Sequence, residues 1–213
     1  GVIDAGEPTA ITDDAGDFSF PDGTPVGNLI ATGGTDISTG LAFTGQLEAP
    51  SGSKVITPLT TVIKQLADQD TDTTKTDAEK AADAQTQLKE LLGFSAVTGD
   101  LTQLDFVTEA SEGDSSGADG MSDAQATALY ASSVQILNII AQGVAVITGV
   151  DGSISDADAS AAVFKALTEA LKNQPAGTTV DFSTSTATDN DDTNDGNDFL
   201  TNLFKAAASD AGL

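Results

Sequence analysis

The chain contains no cysteine, histidine, arginine or tryptophan, and a single tyrosine, Tyr130, in 213 residues. Without cysteine there is no disulfide framework, zinc knuckle or thiol nucleophile. Without histidine there is no Ser-His-Asp triad, no axial haem ligand and no imidazole metal site. Positive charge is scarce as well. Eight lysines stand against 33 acidic residues, a formal net charge of −25. A surface this acidic repels phosphate backbones and anionic lipid, so nucleic acid is not an expected partner. No apolar run reaches the ~18 residues of a membrane span. The nearest, Val134 to Ile147, is interrupted by Gln135, Asn138 and Gln142, and membrane insertion is not expected. Gly1-Val2-Ile3-Asp4 carries neither the basic nor the apolar region of a signal peptide, so the sequence reads as a mature module.

What the chain has is aspartate: 26 Asp against 7 Glu. Glu favours helices, whereas Asp favours turns, helix N-caps and calcium loops. Together with abundant Thr, Ser, Ala and Gly, this bias reads as an extracellular, bacterial cell-surface protein working in calcium-containing water. Solubility alone is the plainer explanation of the acid.

Two regions differ in pattern. In residues 1–57 short apolar runs (Ala10–Thr12, Phe18–Phe20, Leu29–Thr32, Leu41–Thr44, Lys54–Thr57) alternate with turn signals at roughly 8–12-residue spacing. From Pro58 onward the spacing becomes helical. Pro58 suits a first helical position, and Leu59, Val62, Ile63 and Leu66 share a face. Thr76-Asp77-Ala78-Glu79 is a capping box for a helix running through Leu92 and closed by Gly93. Leu101–Ala110 reads as a short helix. Ser122-Asp123-Ala124-Gln125 caps a long helix to about Ile147, apolar on most sides and therefore expected to be the central buried one. Ser155-Asp156-Ala157-Asp158 starts another, and a last one begins near Asp198. The expected fold class is α+β: a small N-terminal antiparallel β-sandwich or sheet in 1–57, then a bundle of about five helices in 58–213 with Asp-rich loops.

Calcium loops of the EF-hand type place oxygen ligands at positions 1, 3, 5 and 12, with glycine at 6. Four stretches approach this. With Gly1 at position six, Asp4 falls at nine and Glu7 at twelve, which makes the N-terminus half of a loop or a simple turn with two acids. Asp68, Asp70 and Asp72 stand at one, three and five with Glu79 at twelve. Here Thr73 replaces the glycine, Lys75 occupies the apolar position eight, and a solvated acidic linker is the competing reading. Asp151-Gly152-Ser153-Ile154-Ser155 with Asp158 imitates positions five to twelve but reads better as a joint between helices. Asp189, Asp191, Asp192, Asp195 and Asp198 form a dense cluster around Gly196. Another copy of the chain could complete the N-terminal half-loop with this cluster, in a head-to-tail filament.

The N-terminal wording also carries a resemblance. Asp4-Ala5-Gly6-Glu7-Pro8 followed by Thr12-Asp13-Asp14-Ala15-Gly16-Asp17-Phe18-Ser19-Phe20 resembles modules of bacterial surface proteins of the SdrD B-like or carboxypeptidase-regulatory-like β-sandwich class. The run from Ala31 through Ala49-Pro50-Ser51-Gly52 to Thr57-Pro58-Leu59-Thr60-Thr61 is similar to segments of very large secreted repeat proteins, including RTX-type adhesins. The resemblance spans residues 1–66. It implies a β-sandwich fold, calcium as cofactor and a place in a longer surface protein.

No carboxylate pair stands out as an acid–base couple, and Gly33-Gly34 lacks the strand–loop–helix context of a phosphate cradle. The expected function is therefore non-enzymatic: a calcium-stabilised structural module of a secreted bacterial surface protein or filament. Its expected partners are copies of itself or neighbouring modules. The alternative is a calcium-dependent adhesin module that binds carbohydrate or peptide, against which the scarcity of aromatics weighs.

Overall fold

The computed structural model describes residues 6–24, 27–36, 40–111, 120–175, 177–180, 182 and 196–212. Its elements run β1 (Leu29–Thr32), β2 (Thr35–Asp36), β3 (Leu41–Ala42), β4 (Gln46–Ala49), α1 (Pro58–Asp68), α2 (Asp77–Leu91), α3 (Phe106–Ser111), α4 (Asp123–Val150), α5 (Asp156–Lys172) and α6 (Gly196–Asp210). The chain is 49% helix and 7% strand. This corrects the α+β expectation. The helical bundle is present, but among the described residues the N-terminal part holds no sandwich.

The expected strands at Ala10–Thr12, Phe18–Phe20 and Lys54–Thr57 do not form. A strand needs a face to bury, and residues 6–17 are exposed throughout, with Ile11 94% exposed. Their backbone turns on itself instead. Asp13 Oδ1 accepts from the amides of Ala15 and Asp17 at 2.9 and 3.0 Å. The amide of Lys54 donates to the Thr102 carbonyl at 2.8 Å, which ties that segment to the loop before α3.

What does form is one hairpin with a kink. β1 pairs antiparallel with β4, ending at Thr32 opposite Gln46, and β2 pairs with β3 from Thr35 opposite Ala42. Gly33 and Gly34 therefore face the three residues 43–45, a bulge with one extra residue on the returning strand. Both glycines have positive φ, +70° and +86°, which a side chain would resist.

The hairpin survives because it docks on α1. Thr57 caps α1, and its hydroxyl accepts from the Thr60 amide at 3.1 Å. Thr60 and Thr61 then turn their hydroxyls to β4. Thr60 Oγ1 donates to the Glu48 carbonyl at 2.9 Å, and the Glu48 amide donates to Thr61 Oγ1 at 2.9 Å. Ala49 is fully buried beside them and Leu47 packs on the core.

Capping boxes open α2 (Thr76 with Glu79) and α4 (Ser122 with Gln125), and Ser155 caps α5. The core lies between α1, α2, α4 and α5. The centre is α5 rather than α4. Val163, Phe164, Leu167 and Leu171 of α5 are all at most 1% exposed, and this helix touches α1, α4, α6 and β4. α4 buries one side, with Leu129, Ile136, Ile140 and Ile147. Its other side is open, with Val146 51% and Val150 70% exposed. Each fully buried Leu, Ile or Phe contributes about 1.5–3 kcal/mol, so the bundle, not the thin hairpin, holds most of the stability.

α4 and α5 meet at Gly143. A Cβ there would lie 2.6 and 2.9 Å from the Val163 methyls and 3.2 Å from the Phe204 ring. In an open helix Gly→Ala gains about 1 kcal/mol of helix propensity. Here overpacking at about 1–3 kcal/mol opposes and outweighs it. Gly143→Ala should therefore lower the melting temperature by a few degrees in thermal denaturation followed by circular dichroism. A higher melting temperature would mean that the two helices stand further apart.

Candidate functional site

The loop joining α1 to α2 carries the fullest of the expected ligand sets, Asp68, Asp70, Asp72 and Glu79. The fold gives each of these carboxylates a local partner. Asp68 pairs with Lys64 one turn back on α1. Asp70 Oδ1 accepts from the Asp72 amide at 2.8 Å, and its Oδ2 accepts from Lys75 Nζ at 3.0 Å. Asp72 Oδ1 accepts from the Thr74 amide and hydroxyl at 2.8 and 2.6 Å. Glu79 Oε2 accepts from the Thr76 amide and hydroxyl at 2.8 and 2.9 Å, closing the α2 capping box.

The residue that organises this loop is Lys75. Its ammonium bridges Asp70 and Asp83 at 3.0 and 2.8 Å, while Lys80 donates to the Asp70 carbonyl at 2.7 Å. Hydrogen bonds donated to Asp83 and then Asp70 raise the Lys75 pKa above its ordinary value. The acids move the other way. The Asp72 amide, then the Lys75 ammonium, lower Asp70. Thr74 lowers Asp72 through its hydroxyl and amide, and Thr76 lowers Glu79 through its amide and hydroxyl. As folded, the loop is closed around the Lys75 ammonium. Among the described residues no three acidic side chains gather in a metal-holding group.

The other expected ligands fall as follows. Glu7 is exposed in the N-terminal arm. Asp4, Asp189, Asp191 and Asp195 lie outside the described residues, as does Asp192. The 151–158 stretch is the joint between α4 and α5. Asp151 Oδ1 accepts from the Ser153 amide and hydroxyl at 2.9 and 2.6 Å, and Ser155 caps Asp158.

Three features were not visible in the sequence. Lys89 on α2 is 8% exposed, and its ammonium donates to the Gly99 carbonyl at 2.6 Å. Burial lowers its pKa, partly offset by Asp100. A lysine one position past Leu88 gives no sign from spacing alone that a loop will fold over it. The second feature is an open cleft of about 530 Å³ between the end of α2 and residues 174–179, lined by Gln87, Glu90, Ser95, Gln174, Thr178 and Thr179 among others. The third is the exposure along α4, whose exposed apolar residues stand on two flanks of the buried stripe, Tyr130 and Val134 on one and Val146 and Val150 on the other. From Ala124 to Val150 the chain carries no charged side chain, and Tyr130, Val134, Val146 and Val150 all stand exposed on this helix. It is long and apolar enough to cross a membrane by composition, yet one side of it is packed into the core.

The chain matches no known family model, no curated protein and no solved structure, so the functional reading rests on these residues themselves.

The lowered carboxylates have a pH consequence. A group whose folded pKa lies below its unfolded value stabilises the fold above the unfolded pKa, near 4 for Asp and Glu. That stability is lost as pH falls through the folded pKa. Melting temperature should therefore hold from neutral pH to about 5 and then fall through the carboxylate range. In the triple variant Asp70→Asn, Asp72→Asn, Glu79→Gln the fall should be shallower. Equal slopes in the two proteins would show that these three acids are not stabilised by folding.

Proposed function

We propose that the chain is a non-catalytic structural module of a secreted bacterial surface protein or extracellular filament, associating with copies of itself. The observation that carries this reading is the outer face of α4. A chain of net charge −25 repels its own copies over most of its surface. The uncharged length of α4, about 40 Å at the standard helical rise, is where two copies approach with least repulsion. Near its C-terminal end it presents Val146 and Val150, exposed one turn apart, for burial; Tyr130 and Val134 stand exposed on its other flank. A second copy fits this face because the face is neutral itself, and an acidic or basic partner would find no counter-charge there. Secretion and the bacterial surface are supported by the absence of cysteine, the excess of aspartate and the resemblance of residues 1–66. Calcium enters the reading through that aspartate excess and the spacing of Asp68, Asp70, Asp72 and Glu79.

Sedimentation velocity over a concentration series tests the association. The wild-type chain should show concentration-dependent growth. Val146→Glu, on the exposed side, should associate more weakly than wild type, with an unchanged melting temperature. A wild-type chain that stays monomeric at every concentration would refute the reading.

Calcium has its own test. An ion bound only by the folded state raises stability by mass action. Melting curves in millimolar calcium should lie above those in chelator. Superimposed curves would remove calcium from the account.

A further inference from the structure

The N-terminal arm and the outer edge of β1 are two open halves of one contact. β1 is an edge strand whose ladder partner, β4, is protected on its far side. Both backbone groups of Glu48 point away from β1, to the Thr60 and Thr61 hydroxyls. In an antiparallel ladder the residue opposite then points its own amide and carbonyl outward as well. That residue is Ile30, and by the same alternation Thr32, opposite Gln46, does likewise. Among the described residues neither outward pair finds a partner. Ile30 is also 55% exposed. An open edge with an exposed Ile is a template for another strand.

The arm supplies a matching strand. Pro8-Thr9-Ala10-Ile11-Thr12 is without regular structure, uncharged and exposed throughout, with no ladder of its own. Outside α4, Ile11 and Ile30 are the two exposed large apolar residues among those described. Both segments are neutral within an acidic chain, so their approach meets little repulsion. The hydrogen bonds that follow the arm are local turns. The Asp13 turn closes behind Thr12, and the Thr24 amide and hydroxyl bond to the Pro21 carbonyl at 3.1 and 2.7 Å. One molecule thus carries both halves and joins neither.

We infer that Pro8–Thr12 of one copy adds as a strand to the β1 edge of another, with Ile11 beside Ile30. Main-chain hydrogen bonds supply the attraction and the Ile pair sets the register. The contact is heterologous, so repetition yields an open chain of molecules rather than a closed dimer. This inference rests on the self-associating reading above and names a second contact for it.

The absence of native cysteine permits a direct test. Chains carrying Ile11→Cys and Ile30→Cys are mixed, mildly oxidised and digested, and the mixed 11–30 disulfide peptide is measured by mass spectrometry. The control pairs Ile11→Cys with Thr86→Cys, an exposed site on α2. The mixed 11–30 product should exceed the control about tenfold, the enrichment given by a contact of about 1.4 kcal/mol. The double variant Ile11→Cys/Ile30→Cys should give a ladder of cross-linked multimers. Yields equal to the control, or a double variant that closes only within single chains, would overturn the inference. Sedimentation of the same proteins before oxidation separates the two claims. Association without the 11–30 link removes strand addition and leaves the α4 contact, whereas monomers without the link remove both.

Discussion

Two threonine hydroxyls in the first turn of α1 hold both backbone groups of Glu48, and the N-terminal half of the fold depends on them. A lone two-stranded hairpin is marginal in water. β1 and β4 gain a third layer only because α1 presents Thr60, fully buried, and Thr61, 1% exposed, where an additional strand would have lain. Thr60 serves twice. Its hydroxyl accepts from the Thr57 amide in the capping box at 2.8 Å and donates to Glu48. The start of the bundle and the attachment of the hairpin are thus one arrangement. The same arrangement leaves β1 as the unprotected edge.

Charge acts as the second constraint. With few cations available, the acids are satisfied close to home, by backbone amides two residues on and by neighbouring Thr and Ser hydroxyls. Exposed ion pairs are worth little, about 0–1 kcal/mol, so this pattern organises turns more than it stabilises the fold. Its wider effect is to make the surface uniformly repulsive wherever it is charged. Neutral regions, the outer side of α4 and the Pro8–Thr12 arm, then become the places where copies can meet.

The helix starts were legible because their signals are local. Thr76 with Glu79, Ser122 with Gln125 and Ser155 with Asp158 each satisfy helix N-terminal amides within one turn, and Pro58 has no amide hydrogen to satisfy. The β-rich head was not legible. Alternation at Ala10–Thr12 or Phe18–Phe20 promises a strand only if another face exists to cover it, and that is decided by distant residues. Periodicity also misplaced the centre of the bundle. α4 is the more hydrophobic helix, yet the Ala-rich α5 sits innermost because small side chains allow close approach on several sides. At the acidic loop the 1, 3, 5, 12 spacing was visible, and so was Lys75 at the position where calcium loops carry an apolar side chain. Its pairing with Asp70 and Asp83 was not, because it depends on how α2 folds back on the loop.

The dependence of the hairpin on α1 is tested most directly at the Glu48 amide. Amide hydrogen exchange should show it protected in the wild-type chain. In Thr61→Val, which keeps the shape and removes the acceptor, the Glu48 amide and the β1–β4 ladder should exchange on the order of tenfold faster or more, with α5 unaffected. Unchanged protection at Glu48 and across the ladder would contradict the account, because the hairpin would then be held by something other than the two threonines.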